Sequence, residues 1–365
     1  MFAAAVVAGL WYLWFNLVSN LNRRNISTGW DFLQQRAGFG IAGTDFSPSQ
    51  TVLDALIVGA KNTITVSVLG IALATVLGVV VGIARLSTNW LVRRVASLYV
   101  ESLRNIPVLV IIVFWSAAVI LTLPRIEDSI EWLDAIVLSN RGLWVPTVVG
   151  LDGVGAFWVT LAAGGVGALA LAWWRTRRFE ATGRPHHRLL WAVGVVVGVA
   201  AVGYVASGQP LVVSLPERTA RSVTGGRVVS PEFTALLVGL VVYTASHIAE
   251  IVRGSIQAVP RGQTEAATAV GLSPFQRLRY VVLPQAFRIA IPPASNQFLN
   301  LTKNSSLAIV IGYPELMRVT RIAIGNGSPA PQSLALLMVV YLALSLTISA
   351  AANLANRRLQ LAGQR

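Results

Sequence analysis

The chain contains no cysteine, so disulfide staples and thiolate metal sites are both excluded. Only three histidines occur, His186, His187 and His247, too scattered along the chain to form a metal constellation. Charge is scarce as well: 12% of residues are Asp, Glu, Lys or Arg, about half the usual share. Acid is the rarer sign, with 15 carboxylates against 29 Lys and Arg and a formal net charge of +14. That excess forms no basic face interleaved with aromatics, so no nucleic-acid surface is indicated. No glycine-rich phosphate loop ending in Lys-Ser/Thr, no nucleophile–base pair and no metal-ligand cluster is present. A polytopic membrane enzyme would lack its catalytic cluster here.

What the chain has in plenty is apolar sequence, 55% of its 365 residues, with a mean hydropathy of +0.65. This excludes a soluble globular protein. The charges gather between long apolar runs, which is the pattern of a polytopic membrane protein. Loop arginines facing a negative membrane surface account for most of the basic excess, which makes membrane lipid an expected contact.

Eight runs read as spans. Residues 2–18 form the first; it reads as a retained helix because no positive region precedes it and no clear cleavage site follows. Its start leaves open a segment upstream of Met1. A polar loop with Asn22, Arg23, Arg24, Asp45 and Pro48 occupies 19–50. The run 63–84 ends in Arg85, with Arg93 and Arg94 close behind, and 106–123 follows Glu101, Arg104, Asn105 and Pro107. The loop 124–153 carries an acidic amphipathic segment, Glu127, Asp128, Glu131, Trp132 and Asp134. Spans 154–174 and 189–206 are joined by Arg175, Arg177, Arg178, Arg184 and Arg188. A Pro/Gly/Arg loop leads to 233–251. The last two spans are 286–312, interrupted by Pro292-Pro293 and Lys303, and 333–355, followed by Arg357 and Arg358. Tryptophans 11, 14, 90, 132, 144, 173, 174 and 191 lie near span ends and read as an interfacial belt.

The rest is organised around Arg253 to Pro293, the longest polar interruption in the second half. Pro260 and Gly262 stop the preceding span, and Gln263 to Val270 is Ala-rich and helix-forming. Gly271 supplies a C-terminal cap; Ser273-Pro274 is an N-cap followed by proline at the first helical position. Phe275, Leu278 and Val282 then share one face, and Leu283-Pro284 closes this helix and opens the next span. Amphipathicity alone admits a plain basic hairpin at a membrane interface. Glu265 by itself is an ordinary solvated carboxylate.

Spacing narrows the choice. Glu265-Ala266-Ala267, then Gly271, Val281 and Leu283-Pro284 at their observed separations resemble the coupling-loop signature of ABC-importer membrane subunits. The family usually has Ile at the place of Val281. The flanking words AEIVRGSIQAVPRGQ and LPQAFRIAIPPASNQFLNLTKNSSLAIVIGYPEL resemble its polar-amino-acid branch, and the likeness covers about 51–356.

The resemblance implies an all-α polytopic membrane protein of about eight transmembrane helices containing a five-helix permease core. The core helices would be 51–84, 98–123, 232–252, 284–312 and 332–356, with the coupling hairpin at 253–283. The segment 1–50 would be an added helix and periplasmic loop, 124–231 a periplasmic segment with an inserted helix pair at 154–206, and 357–365 a cytoplasmic tail. The activity implied is that of a permease subunit in an ATP-driven importer of polar L-amino acids. It would be similar to the long subunits of general L-amino-acid or glutamate/glutamine/aspartate/asparagine importers. This chain would bind no cofactor, ATP-Mg belonging to the partner ATPase. Expected partners are cytoplasmic ABC ATPase subunits, a second permease subunit (a paralogue or a copy) and a periplasmic amino-acid-binding protein. Glu265 would meet a basic group in a groove of the ATPase, and Ala266 and Ala267 would permit close approach. Gly271, Leu283 and Pro284 complete that coupling motif.

With the hairpin cytoplasmic, Arg85, Arg93, Arg94, the Arg175–Arg188 cluster and the Arg357/Arg358 tail fall on the same side, and the acidic segment opposite. Arg218, Arg221 and Arg227 land outside, a minor objection. Both termini are then cytoplasmic and the protein sits in the bacterial inner membrane.

Further polar residues stand inside or beside spans. Glu250 and Arg253, three apart, share a helix face and read equally as a structural clamp or as a gating clamp next to the hairpin. His247, one turn earlier, reads as a packed neutral imidazole. Broken helices and intramembrane charges together mark a substrate path, with Glu101, Arg104 and Asn105 on one such helix. Asn296, Asn300, Lys303, Asn304, Ser305 and Ser306 stand on the other. The alternative has Arg104 and Lys303 snorkelling to opposite interfaces. An autonomous secondary transporter of amino acids is the second functional reading; it predicts internal repeats, and none is convincing.

Overall fold

The computed structural model describes residues 1–23, 29–182, 187–219 and 222–361. Arg24, Arg184, His186 and Arg221 lie outside the described residues. The helices are α1 (Phe2–Arg23), α2 (Val52–Ala84), α3 (Trp90–Arg104), α4 (Val108–Phe114), α5 (Val154–Thr182), α6 (Arg188–Ala206), α7 (Pro231–Gln257), α8 (Arg261–Ala269), α9 (Pro274–Arg277), α10 (Leu283–Asn304), α11 (Leu316–Gly325) and α12 (Ala330–Leu361). The chain divides into two compact units, Met1–Thr122 with Ser230–Arg365, and Leu123–Val229.

In the first unit, helix starts are fixed by side chains that satisfy otherwise orphaned amides. Thr51 and Asp54 form a reciprocal capping box at α2. Ser230 caps α7 by accepting from the Phe233 amide, with Pro231 in the first turn. Asn89 does the same for α3. Helices α2 and α7 run parallel and touch along glycines: a Cβ on Gly78 would stand 2.6 Å from Ile248 Cβ, and one on Gly82 would stand 2.8 Å from the Ala249 carbonyl. Hydrogen as side chain is what lets these two backbones meet. One buried cluster of this unit gathers Val66, Ile112, Leu236, Leu240, Ile248, Leu301 and Tyr313. Another gathers Phe32, Ile41, Phe46, Leu56, Leu316, Val319 and Leu337. The stretch 19–50, expected as a polar loop, therefore packs Phe32, Ala37, Ile41 and Phe46 into the cluster that α2 and α11 share.

Among the described residues, five helices are long and apolar enough to cross a membrane: 52–84, 154–178, 189–206, 231–257 and 330–354. The pair α3 and α4 with its continuation to Ile120 makes a sixth, bent by 106°. By this measure five or six of the eight expected spans are found among the described residues. The run 286–312 falls below it because its helix carries Asn296, Asn300 and Lys303, and α1 is short in apolar length. The bend at Asn105–Pro107 is where the sequence placed a broken helix: proline supplies no amide and its ring obstructs the preceding turn.

The second unit departs from a purely helical reading. Its loops fold as short antiparallel strands, β1 (Ile130–Trp132), β2 (Ile136–Ser139), β3 (Gly142–Val145), β4 (Thr147–Gly150), β5 (Leu211–Ser214), β6 (Glu217–Arg218), β7 (Val223–Thr224) and β8 (Arg227–Val229). They pair as β1-β2-β3-β8, β4-β5 and β6-β7. The acidic segment, expected within a loop, is a 3-10 turn and an edge strand; β-branched Ile136, Val137 and Val145 favour pairing in the adjoining strands. Trp132 and Trp144 accordingly sit on strands and not at helix ends. Helices α5 and α6 form an antiparallel hairpin in which Phe157 meets Tyr204 edge-on, and a Cβ on Gly164 would stand 2.7 Å from Val199.

Candidate functional site

Three polar constellations stand out in the first unit. The hairpin is the first. Helix α8 ends in a Schellman turn: Gly271, at φ +81°, donates its amide to the Thr268 carbonyl at 3.0 Å, and Leu272 donates to Ala267 at 3.1 Å. Ser273 and Gln276 then form a capping box that launches α9. Arg277 Nη1 donates to Thr268 Oγ1 at 3.0 Å, tying α9 to α8. Two details differ from the sequence reading. Helix α8 starts at Arg261, so Gly262 lies within its first turn. Leu283-Pro284 closes nothing: α9 passes through a π-helical turn, Leu278–Val282, straight into α10. A proline conflicts with the ordinary i to i−4 ladder, and widening the preceding turn accommodates it.

On this hairpin Glu265 and Ala266 are exposed, whereas Ala267 is buried beneath them. Of the two alanines, Ala266 alone lies on the outward surface. The same hairpin leaves large apolar side chains open: Val270 is 76% exposed, Phe275 68% and Tyr280 63%. Exposed apolar side chains on one element are the composition of a docking surface.

Glu250 anchors the second constellation. Its carboxylate accepts from both Arg85, which closes α2, and Arg253, one turn on along α7. Arg104 of α3 stands 3.7 Å away, and Arg85 also approaches Glu101 at 4.0 Å. Arg253 Nη1 reaches Gln257 Oε1 at 2.7 Å. The expected pair Glu250/Arg253 is therefore part of a hub joining α2, α3 and α7. Glu101 and Arg104, read as substrate-path residues, take part in this hub. Arg85 was noticed in the sequence only as a basic span end, and parallel packing of α2 on α7 is what brings it here. His247 is half-buried, with its ring edge-on to Tyr243 at 4.8 Å and its Nε2 without a hydrogen bond among the described residues.

The third constellation is a stripe on α10. Pro292, Pro293, Asn296, Asn300 and Lys303 are exposed, while Leu301 and Thr302 are buried on the other side. The helix is not broken at Pro292-Pro293; it runs on to Asn304 and then tightens into a 3-10 turn, Ser305–Val310. Ser305 leaves the stripe, buried with its hydroxyl on the Thr302 carbonyl at 2.8 Å, and Asn304 is only partly exposed. The sequence reading missed Glu315 altogether. Fully buried, it caps α11 by accepting from the amides of Met317 at 2.8 Å and Arg318 at 2.9 Å, and Tyr341 Oη of α12 donates to it at 2.8 Å. An acid following Gly312-Tyr313-Pro314 and opening an apolar stretch was the available signal.

A family model described as the binding-protein-dependent transport system inner membrane component matches residues 74–361. The chain belongs to this family. The match takes in all three constellations and leaves out α1 and the first two-thirds of α2. The permease is 42% identical over 358 residues to the general L-amino acid transport system permease protein AapQ of Rhizobium johnstonii, covering 98% of this chain and 90% of the relative. It is 40% identical to a putative amino-acid ABC transporter permease protein, YhdX, of Escherichia coli, covering 97% and 91%. With the glutamate/glutamine/aspartate/asparagine transport system permease protein BztB of Rhodobacter capsulatus, the identity is 38% over 97% of this chain and 91% of that one. It is a multi-pass protein of the bacterial inner membrane.

Proposed function

We propose that this permease is the transmembrane subunit of an ATP-driven importer that moves polar L-amino acids inward and is driven through the 253–283 hairpin by a separate ATPase. The observation that carries the reading is the hairpin surface: Glu265 and Ala266 are exposed on α8, and Val270, Phe275 and Tyr280 are exposed on the same hairpin, whose turn is closed by Schellman hydrogen bonds. The substrate class rests on relatives named for L-amino-acid transport. ATP-Mg would be held by the ATPase, and this chain would contribute no catalytic group and no cofactor site.

A second permease subunit, paralogue or copy, would close over the exposed α10 stripe, where Asn296 and Asn300 offer amides and Lys303 a cation to a free amino acid's carboxylate. A periplasmic binding protein would deliver that amino acid from outside. The hub on Glu250 lies at the hairpin end of α7 and would pass hairpin movement to α2 and α3. In this orientation both termini are cytoplasmic.

Proteoliposomes holding the permease, the ATPase and the binding protein test the scheme. Uptake of labelled glutamate or glutamine is expected with internal ATP and not with an ion gradient alone; uptake driven by a gradient without the ATPase would establish the secondary-transporter reading instead. In the same assay Lys303→Met is expected to raise the half-saturating amino-acid concentration about 10-fold, the loss of one charge-assisted contact. Unchanged kinetics would move the substrate path off the stripe.

A further inference from the structure

We infer that Glu315 and Tyr341 are positioning residues for the substrate stripe: their hydrogen bond fixes the turn that ends α10 and so holds Lys303 outward. This role rests on the substrate-path reading of that stripe and adds what sets its geometry.

A helix cap alone does not need this acid. Helices α2, α3 and α7 are capped by Thr51, Asn89 and Ser230, short side chains that serve a single helix start. Glu315 is longer and fully buried, and a carboxylate is tolerated there only with its acceptor sites filled. Two of its donors are the Met317 and Arg318 amides of α11. The third is Tyr341 Oη at 2.8 Å, from a different helix. The extra length of the glutamate is what joins α11 to α12.

The Tyr341 phenol also meets the hydroxyls of Ser305 and Thr63. Thr63 belongs to α2 and accepts from the Leu316 amide at 3.1 Å. Its neighbour Asn62 donates to the Pro314 carbonyl at 2.8 Å. Tyr313, buried beside them, sets its ring 5.6 Å from that of Phe233 on α7. The segment from Ser305 to Leu316 is therefore held from α2, α7 and α12 at once. Ser305 is where α10 passes into its 3-10 turn.

Register at that point decides what the stripe presents. Successive residues of a helix stand about 100° apart. Thr302 is 1% exposed and Lys303, the next residue, is exposed, so a slip of one position would exchange their surroundings. Ser305 donates its hydroxyl to the Thr302 carbonyl, and Ser306 donates its own to the Lys303 carbonyl, both at 2.8 Å. These bonds tie the last turn of α10 to the 3-10 turn that Tyr341 touches. The lysine is aimed by a chain of contacts that ends on a buried carboxylate.

The test is uptake of labelled L-glutamate, over a series of concentrations, into proteoliposomes holding the permease, the ATPase and the binding protein. Wild type, Tyr341→Phe, Lys303→Met and the double variant are compared. Tyr341→Phe keeps both amide bonds to Glu315 and with them the start of α11. It is expected to raise the half-saturating glutamate concentration about 5-fold at an unchanged maximal rate, and to add nothing further in the Lys303→Met background. A general loosening of the fold would instead lower the maximal rate in both backgrounds, and that result would overturn the positioning role. Effects of the two substitutions that multiply would overturn it as well, because Tyr341 would then act apart from Lys303. A silent Tyr341→Phe beside an effective Lys303→Met removes the positioning role alone, whereas a silent Lys303→Met removes the stripe and the role together. Should Tyr341→Phe fail to fold, Ser305→Ala severs the same contact from the other side and is judged by the same four-way comparison.

Discussion

Glu265→Arg is expected to reduce ATP-driven uptake to the background of vesicles lacking the ATPase, without lowering the melting temperature of the permease. The side chain is exposed on α8, so its replacement removes no packing and the fold has no reason to respond. Its proposed partner is a basic group of the ATPase. Truncating one member of a buried interfacial charge pair costs about 2–5 kcal/mol, and reversing the sign adds like-charge repulsion. At 1.4 kcal/mol per decade that is at least about 30-fold in affinity, enough to empty the docking site at ordinary subunit concentrations. Gly271→Pro should produce the same loss by another route. The residue sits at φ +81°, which proline's ring forbids, and its amide makes the 3.0 Å bond to Thr268 that holds the turn. Affinity purification of the ATPase with each variant, followed by uptake, is the measurement. An Glu265→Arg complex that co-purifies and transports at the wild-type rate would remove the hairpin from the coupling role.

The hairpin was legible in the sequence because its signals are local. Gly271 must turn left-handed, Ser273-Pro274 must start a helix, and the intervening register is fixed by residues within a few positions of one another. Legibility stopped at Pro284, where a proline normally ends a helix; the π turn at Leu278–Val282 is a tertiary accommodation that leaves no distinct mark in composition. Pro107 was read as a break and the helix bends there, whereas Pro292-Pro293 was read as an interruption and α10 runs through it, because proline sets the cost of continuing and the surrounding packing decides whether that cost is met. Long-range polar partnerships were the least accessible. Glu250 and Arg253 share a helix and could be paired from spacing, whereas Arg85 joins them from 165 residues away. Glu315 meets Tyr341 only because α11 folds back between α2 and α12. Strands β1 to β8 were lost for a related reason: segments of two to four residues are too short for an alternating pattern to declare itself.

Removing the Glu250 carboxylate tests the longest-range of these partnerships and is expected to cost more than any other single change in the first unit. The Arg85 side chain is only 11% exposed, and its charge is tolerable there because Glu250 neutralises it. Glu250→Ala leaves Arg85 buried with only the exposed Glu101, at 4.0 Å, as a counter-charge, and with Arg253 and Arg104 close by and of the same sign. Breaking a buried pair from one side costs about 3–5 kcal/mol, moderated here because Glu250 itself keeps 25% of its side chain exposed. A loss of about 3 kcal/mol corresponds to a fall in melting temperature of about 4 °C for a chain of this length. Arg85→Ala alone should cost less, since Arg253 and Arg104 remain to satisfy Glu250. The double variant Arg85→Leu with Glu250→Leu should recover most of the loss, because two apolar side chains bury no charge. A double-mutant cycle on the purified permease measures the coupling directly. A melting temperature for Glu250→Ala within a degree of the wild type, or additive single-variant effects, would show that the three helices hold together without this ion pair. That outcome would leave glycine-mediated contact between α2 and α7 as what fixes their register.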